Sequence, residues 1–166
     1  MKREILFRGK EIQTGEWIEG YYTLIHGVLV NKKNHVKGYR DLHCIFNGDM
    51  PRGKMGYWHE VDPASVGQYV GTKDKTGRKV FEGDIVDAWS AGSHTTHGLV
   101  KWGTTGFFIC ISTENGPIEG WNLAPHSERM KGYELIDEHL LVVGNVIDNP
   151  DMVAGYLKWY KELNGK

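Results

Sequence analysis

Short apolar runs, separated by turns rich in glycine, asparagine and aspartate, fill most of the chain after residue 67. Runs of this length with β-branched and aromatic residues predict strands rather than helices. We expect strands at QYVGTK, RKVF, DIVDAW, GLVKW, FFICIS, WNLA, YELI and LLVVGNVI. Because FFICI is apolar throughout, we expect it to be covered on both faces or bent across a barrel corner. The pattern favours a small antiparallel barrel or a curled sheet.

The N-terminal part of the chain predicts a β-meander followed by a long loop. We expect strands at REILFR, WIEGYYTLI, VLVN and YWHEV, with a two-residue turn at His26 and Gly27 between the second and the third. Residues 32–56 lack a sustained period, so they are predicted to be mostly loop with a short strand or turn near LHCIF. Asp62 before Pro63 is typical of the start of a helical turn.

Only the end of the chain has a helical pattern. Apolar residues recur there at steps of three and four: Met152, Val153, Tyr156, Leu157, Tyr160 and Leu163. Asn149 or Asp151 would cap this helix, and Gly165 would end it. The sequence therefore predicts a mostly β chain with a C-terminal helix, forming a single domain over residues 1–166. Within it we expect subdomains over residues 1–66, 67–150 and 151–164.

Composition excludes several classes of function. The 166 residues contain 20 Lys and Arg against 21 Asp and Glu, so no overall field attracts nucleic acid or a membrane. No apolar segment has the length of a signal peptide core or a membrane span. Cys44 and Cys110 lie far apart and do not indicate a disulfide framework. We therefore expect a cytoplasmic protein.

The stretch GTKDKTGRKVFEGDIV, residues 71–86, combines Gly, Lys, Thr and Asp in the manner of a ligand-binding loop. Its spacing matches neither a phosphate-binding loop nor a calcium-binding EF-hand. Turn chemistry accounts for it without a ligand. Asp74 and Gly77 suit a hairpin turn with Gly77 in the left-handed conformation, and Gly83 and Asp84 suit a corner before the next strand.

Candidates for catalysis are few. His94 and His97 lie in a predicted polar loop, and no further metal-ligand motif accompanies them. Glu82 and Asp84 could share one face and hold a divalent ion, which would make the protein a metal-assisted hydrolase. Cys44 follows His43, but neighbouring strand residues point to opposite faces. We predict no cofactor and no enzymatic activity, and keep the hydrolase as an alternative.

A second alternative is nucleic-acid binding through residues 32–58. Basic side chains next to aromatic rings are the ingredients of single-strand recognition. The candidate residues are Lys32, Lys33, Lys37, Tyr39, Arg40, Arg52, Lys54 and Trp58. A solvated lysine-rich loop would have the same composition. Exposed tryptophans, with Trp89, Trp102 and Trp121 as candidates, would instead mark a protein-binding face.

Three segments together resemble the YopX family of bacteriophage and prophage proteins: FRGKEIQTGEWIEG, EVDPASVGQYVGTKDKTGRKVFEGDIV and VVGNVIDNPDMV. The resemblance spans nearly the whole chain. Its motif residues are Asp74, Gly77, Glu82, Gly83, Asp84, Gly144, Asn145, Asn149 and Pro150.

This resemblance implies a mostly β fold of short antiparallel strands with an SH3-like or small-barrel portion. It also implies a phage or prophage gene and supplies no catalytic residue. Our leading hypothesis is therefore a non-enzymatic binding module in the cytoplasm of a bacterial host. We expect it to self-associate and to bind a macromolecule, either protein or nucleic acid.

Overall fold

The structure, a computed structural model, describes residues 4–31, 33–48, 57–90, 93–103, 106–113, 116–122 and 140–164. Within these residues the fold is mostly antiparallel β with one C-terminal α-helix, as predicted. The strands are β1 Phe7–Lys10, β2 Trp17–Val30, β3 Val36–Asn47, β4 Tyr57–Glu60, β5 Gly67–Lys73, β6 Lys79–Phe81, β7 Asp84–Ser90, β8 Ser93–Trp102, β9 Phe107–Thr113, β10 Gly116–Asn122 and β11 Leu141–Asn145. The helix α1 is Ala154–Asn164.

The chain divides into two compact units. The N-terminal unit is Ile5–Gln68, and the C-terminal unit is Tyr69–Lys166 together with Met1–Glu4. The assignment of the whole chain to one domain, and the SH3-like character of part of it, stay predictions.

The sheet of the N-terminal unit has the strand order β4-β3-β2-β1-β5, with every pair antiparallel. The end of β4 returns to the end of β1, because Glu11 bridges Val61 and the Ile12 amide donates to the Glu60 carbonyl at 2.9 Å. The sheet therefore curls around buried Ile45 and Val61.

The predicted turn at His26 and Gly27 is wrong, because β2 runs straight through both residues. The chain reverses after Asn31 instead. The Asn31 side chain accepts hydrogen bonds from the amides of Lys33 (2.8 Å) and His35 (3.1 Å), and Asn34 has φ 59°. Asparagine offers both a local acceptor and tolerance of the left-handed conformation, which favours the turn there.

The loop predicted over most of residues 32–56 is also wrong at Val36–Asn47, which form β3, whereas the short strand expected near LHCIF is confirmed as part of β3. Much of this strand is exposed and carries charges on both faces, so its sequence shows no apolar alternation. In contrast, the helical turn predicted near Pro63 is confirmed. Pro63–Ser65 is a 3-10 helix, and Asp62 accepts a hydrogen bond from the Ala64 amide at 3.0 Å.

The C-terminal unit contains a five-stranded sheet with the order β10-β9-β8-β7-β11. The remainder of β5 pairs with β6 in the same unit. Strand β9 is covered on both faces, as one of the two predictions for FFICI required. Phe107 and Ile109 belong to one buried cluster, whereas Cys110 belongs to a second with Ile85 and Leu99.

The C-terminal helix contributes Val153 and Tyr156 to the second cluster. It begins as a 3-10 helix, Pro150–Val153, before α1. Asn149 stands at the predicted N-cap position, but its side chain makes no capping hydrogen bond there. Asp151, the other candidate, lies inside the 3-10 helix. The side chains of Tyr160 and Leu163, and residue Gly165, lie outside the described part of the chain.

Candidate functional site

A row of three aromatic side chains crosses the sheet of the N-terminal unit. Tyr21 on β2 lies opposite Phe46 on β3, and Phe46 lies opposite Trp58 on β4. Directly opposed residues of an antiparallel sheet share one face, so the three rings project together. Tyr21 is 60% exposed and Trp58 54% exposed, while Phe46 between them is half-buried. We call this set the aromatic row and the side of the sheet that carries it the aromatic face.

The rings of the row are close to one another. The centroids of Phe46 and Trp58 are 4.9 Å apart, with an interplanar angle of 45°. A Cβ atom added to Gly48 would lie 3.6 Å from ring atoms of both Phe46 and Tyr21. Any larger side chain at Gly48 would therefore lean over the row, and glycine leaves its rings accessible.

Beyond the aromatic row, the same face carries Cys44 opposite Glu60. Arg40 pairs with Glu60, with 3.1 Å between Nη2 and Oε2. Burial raises the pKa of the Cys44 thiol, Glu60 raises it further and Arg40 opposes the shift. A thiol whose pKa is raised stays protonated at neutral pH, so Cys44 lacks the thiolate that a nucleophile needs.

The opposite side of this sheet, the histidine face, carries His43 and His59. Tyr22 Oη lies 2.6 Å from His43 Nδ1, and Glu11 Oε1 lies 2.6 Å from His59 Nδ1. Hydrogen bonds from Thr14 and then from His59 lower the pKa of Glu11. His43 therefore turns away from Cys44, and the expectation that these neighbours point to opposite faces is confirmed.

The basic and aromatic candidates of residues 32–58 are divided rather than gathered. Tyr39 lies opposite Val28 on the histidine face, whereas Arg40 and Trp58 lie on the aromatic face. Lys33 and Lys37 are exposed at and beside the β2–β3 turn. The other three, Lys32, Arg52 and Lys54, lie outside the described residues. Tyr21 was missed because only the strand register places it beside Phe46.

Glu82 and Asp84 do not form a metal site with each other. The Asp84 carboxylate is fully buried and accepts a hydrogen bond from the Phe81 amide at 2.8 Å. The Glu82 carboxylate accepts instead from the Trp102 amide at 3.3 Å. Gly83 between them has φ 84°, so the expected left-handed corner is confirmed. Across the described ranges, no three His, Cys, Asp or Glu side chains come together as metal ligands.

The predicted polar loop around His94 and His97 is wrong, because both residues belong to β8. Its pairing with β7 extends to Ser90 opposite Ser93. His97 is exposed with φ 53°, and its amide donates to Asp87 Oδ1 at 2.9 Å. The side chain of His94 lies outside the described part.

Of the tryptophans proposed for a protein-binding face, Trp102 is exposed and stands edge-on to Phe107, with 4.9 Å between ring centroids. The side chains of Trp89 and Trp121 lie outside the described residues. Trp102 belongs to the C-terminal unit.

Asp74 organises the turn between β5 and β6. Its Oδ1 accepts hydrogen bonds from the Thr76 hydroxyl (2.6 Å) and from the amides of Thr76 (2.8 Å) and Arg78 (3.0 Å). Its Oδ2 accepts from the Val142 amide of β11 at 3.1 Å. Gly77 has φ 86° and donates its amide to the Asp74 carbonyl at 2.9 Å. The predicted hairpin turn is confirmed, with an added link to β11.

A second network closes the turn after β11. The Asn145 side chain accepts from the amides of Ile147 and Asp148, each at 2.9 Å, and donates to the Asp148 carboxylate at 3.0 Å. The Asn149 side chain accepts from the Asn145 amide at 3.2 Å. A Cβ atom on Gly144 would lie 2.7 Å from that Asn149 oxygen, so glycine makes room for the bond. Pro150 then starts the 3-10 helix.

The family model described as YopX protein matches residues 6–154 of this chain. The chain belongs to the YopX protein family. A solved structure, protein EF1440 from Enterococcus faecalis, is similar with a TM-score of 0.42 and 18% sequence identity, over 92% of this chain and 99% of that one. No curated protein matches.

In this member of the YopX family, the motif residues serve the fold. Asp74, Gly77 and Gly83 shape the turns on either side of β6, and Gly144 with Asn145 shapes the turn after β11. All of them lie in the C-terminal unit. The residues of the aromatic row belong to the N-terminal unit. None of the helices in the described part is long and apolar enough to cross a membrane.

Proposed function

We propose that this member of the YopX family is a non-enzymatic binding module that holds a protein partner through its aromatic row. The observation that supports this is the exposure of Tyr21 and Trp58 on either side of Phe46. Tyrosine and tryptophan supply much of the binding energy in protein interfaces, because they bury a large area at a small cost in side-chain entropy.

Charge favours a protein partner over single-stranded nucleic acid. Stacked bases require phosphate contacts from unneutralised basic side chains nearby. On the aromatic face, Arg40 already pairs with Glu60 beside the row. The chain as a whole is nearly neutral, with 20 basic and 21 acidic residues. On the other side of the row, Arg8 lies opposite Glu19 on the same face. An apolar centre bordered by residues of both charges has the composition of a protein interface.

We propose a non-enzymatic function because the reactive side chains are buried or already hydrogen-bonded to the backbone. The Cys44 thiol is buried with a raised pKa, and the Asp84 carboxylate is buried against a backbone amide. Glu82 accepts a backbone hydrogen bond. We infer that these groups support the fold rather than act as an acid, base or nucleophile.

The proposal predicts that a Tyr21→Ala/Trp58→Ala variant loses its partner. Affinity purification from cells that naturally contain the protein, followed by mass spectrometry, identifies the partner. Titration calorimetry with the purified partner then measures the affinity. We expect Kd to rise at least about 30-fold, since hot-spot aromatic residues contribute about 2 kcal/mol or more.

Tyr57→Ala is the matched control, because Tyr57 is 69% exposed and adjacent to Trp58 but points to the histidine face. It should bind like the wild type. Equal binding by the double variant would contradict the proposal. The proposal would also be contradicted if nuclease removed the captured material and the purified protein bound single-stranded DNA more tightly as salt falls. This result would identify nucleic acid as the partner.

A further inference from the structure

Part of the N-terminal sheet is a two-stranded ribbon. Strand β1 pairs with β2 only through Gly20, and β4 pairs with β3 only from Cys44 onward. Residues 21–30 and 36–42 therefore have only each other as strand partners within the described chain, whereas the His43 carbonyl already accepts from the Val61 amide. At about 3.4 Å per residue the ribbon is roughly 30 Å long. Isolated two-stranded hairpins are marginally stable, so such a ribbon gains from further pairing.

The two free edges of the ribbon differ in charge. Residues 36–42 of β3 read VKGYRDL and contain Lys37, Arg40 and Asp41. Residues 21–30 of β2 read YYTLIHGVLV and contain no Lys, Arg, Asp, Glu or Pro. Charged residues and proline are the usual means by which an edge strand avoids pairing with another chain. The β3 edge carries such protection and the β2 edge does not.

We propose that the β2 edge pairs with the β2 edge of a second copy of this chain, giving a two-fold dimer with a continuous sheet across it. Antiparallel pairing of a strand with itself places one residue opposite its own copy at the two-fold axis. Placing His26 at the axis sets Leu24 opposite Val28 of the second copy, and Val28 opposite its Leu24.

The exposure of the strand fits this register. Leu24 and Val28 are exposed on the same face of β2, two residues to either side of His26. The two exposed apolar side chains are thus placed symmetrically about His26. Pairing of β2 with its own copy requires this symmetry, whereas pairing with a strand of another protein does not. His26 Nδ1 is held by Asp41 Oδ1 of its own chain at 2.6 Å. Residues 21–30 contain no Lys, Arg, Asp or Glu, so two β2 edges meet without repulsion between side chains of these types.

Light scattering of the purified full chain during size-exclusion chromatography tests the dimer. We expect a concentration-dependent dimer and no larger species, because each chain has one β2 edge. Leu24→Lys/Val28→Lys places like charges across the axis and should raise the dimer Kd more than about 100-fold. Val36→Lys is the control, since Val36 is 57% exposed, close to the 52% of Val28, but lies on β3. Circular dichroism and thermal melting check that both variants fold.

Disulfide trapping tests the register. Directly opposed residues have Cα atoms about 4.5–5.5 Å apart, within disulfide range, so His26→Cys should cross-link two copies. Leu24→Cys should not, because its copies would be about 14 Å apart at 3.4 Å per residue. Native Cys44 and Cys110 are buried and do not compete. Any of four results would overturn the proposal. The chain could be a monomer at all concentrations, or the double lysine variant could leave the dimer intact. Val36→Lys could dissociate the dimer equally, or His26→Cys could fail to cross-link it.

Discussion

Asp74→Ala is expected to destabilise the protein by about 3–5 kcal/mol, because it removes the acceptor of four hydrogen bonds at once. The Val142 amide would remain buried without its acceptor, and the turn between β5 and β6 would lose its link to β11. For a chain of this size we expect a fall in Tm of about 6–20 °C. Thermal melting followed by circular dichroism measures it.

Asp62→Ala is the matched control for this change. Asp62 also accepts a backbone hydrogen bond in a turn, but it is exposed and its bond goes to one amide. We expect a loss of about 1 kcal/mol from it, as for an ordinary cap. If Asp74→Ala cost no more than Asp62→Ala, the link between the turn and β11 would not contribute to stability.

The same carboxylate makes stability depend on pH. Burial by itself would raise the pKa of Asp74, but the hydrogen bonds from Thr76, Val142 and Arg78 outweigh it and lower the pKa below its ordinary value. A group with a lowered folded-state pKa stabilises the fold above its unfolded pKa, about 3.9, and loses this contribution as pH falls through the folded pKa.

We therefore expect the difference in Tm between the wild type and Asp74→Asn to be constant near neutral pH. It should shrink as pH falls below about 4, where the wild-type carboxylate becomes protonated. Melting curves between neutral and acidic pH measure the difference. If this difference in Tm stayed constant throughout the acid range, the stabilisation by these hydrogen bonds would not depend on the negative charge of Asp74.

Local turn chemistry could be predicted from the sequence because its causes lie within a few residues. The roles of Asp74 and Gly77 can be read from their spacing in the sequence. Asp74 offers a side-chain acceptor three residues before Gly77, which adopts positive φ. The 3-10 helix after Asp62 follows from its capping carboxylate and Pro63. The link from Asp74 to Val142 spans 68 residues, and nothing near either residue indicates it.

The aromatic row could not be predicted, because it depends on the register of three strands. Tyr21, Phe46 and Trp58 are distant in sequence, and a slip of one residue would send a ring to the other face. The first part of β3, before LHCIF, was predicted as loop for a related reason. Its exposed charged residues leave no apolar alternation, so long-range pairing with β2 determines its structure.

Close approach of strands is the other feature that sequence leaves hidden, and Gly20 is the clearest case. A Cβ atom at Gly20 would overlap the carbonyl oxygen of Phe46 and lie 3.0 Å from Ile45 Cγ2. The oxygen is backbone of the neighbouring strand and cannot rotate away, so β2 and β3 would have to separate. We expect Gly20→Ala to cost about 3 kcal/mol or more, the upper end of the range for overpacked sites.

Chemical denaturation of Gly20→Ala beside Gly38→Ala measures this cost. Gly38 lies on the same pair of strands, and a Cβ atom added there would meet nothing within 4 Å. We expect Gly38→Ala to change the free energy of unfolding by less than about 0.5 kcal/mol, because it meets neither a clash nor a positive φ. Because Phe46 is the middle ring of the aromatic row, Gly20→Ala should also disturb partner binding, and Gly38→Ala should leave it intact. Equal free energies of unfolding for the two variants would contradict the close approach of β2 and β3 at Gly20.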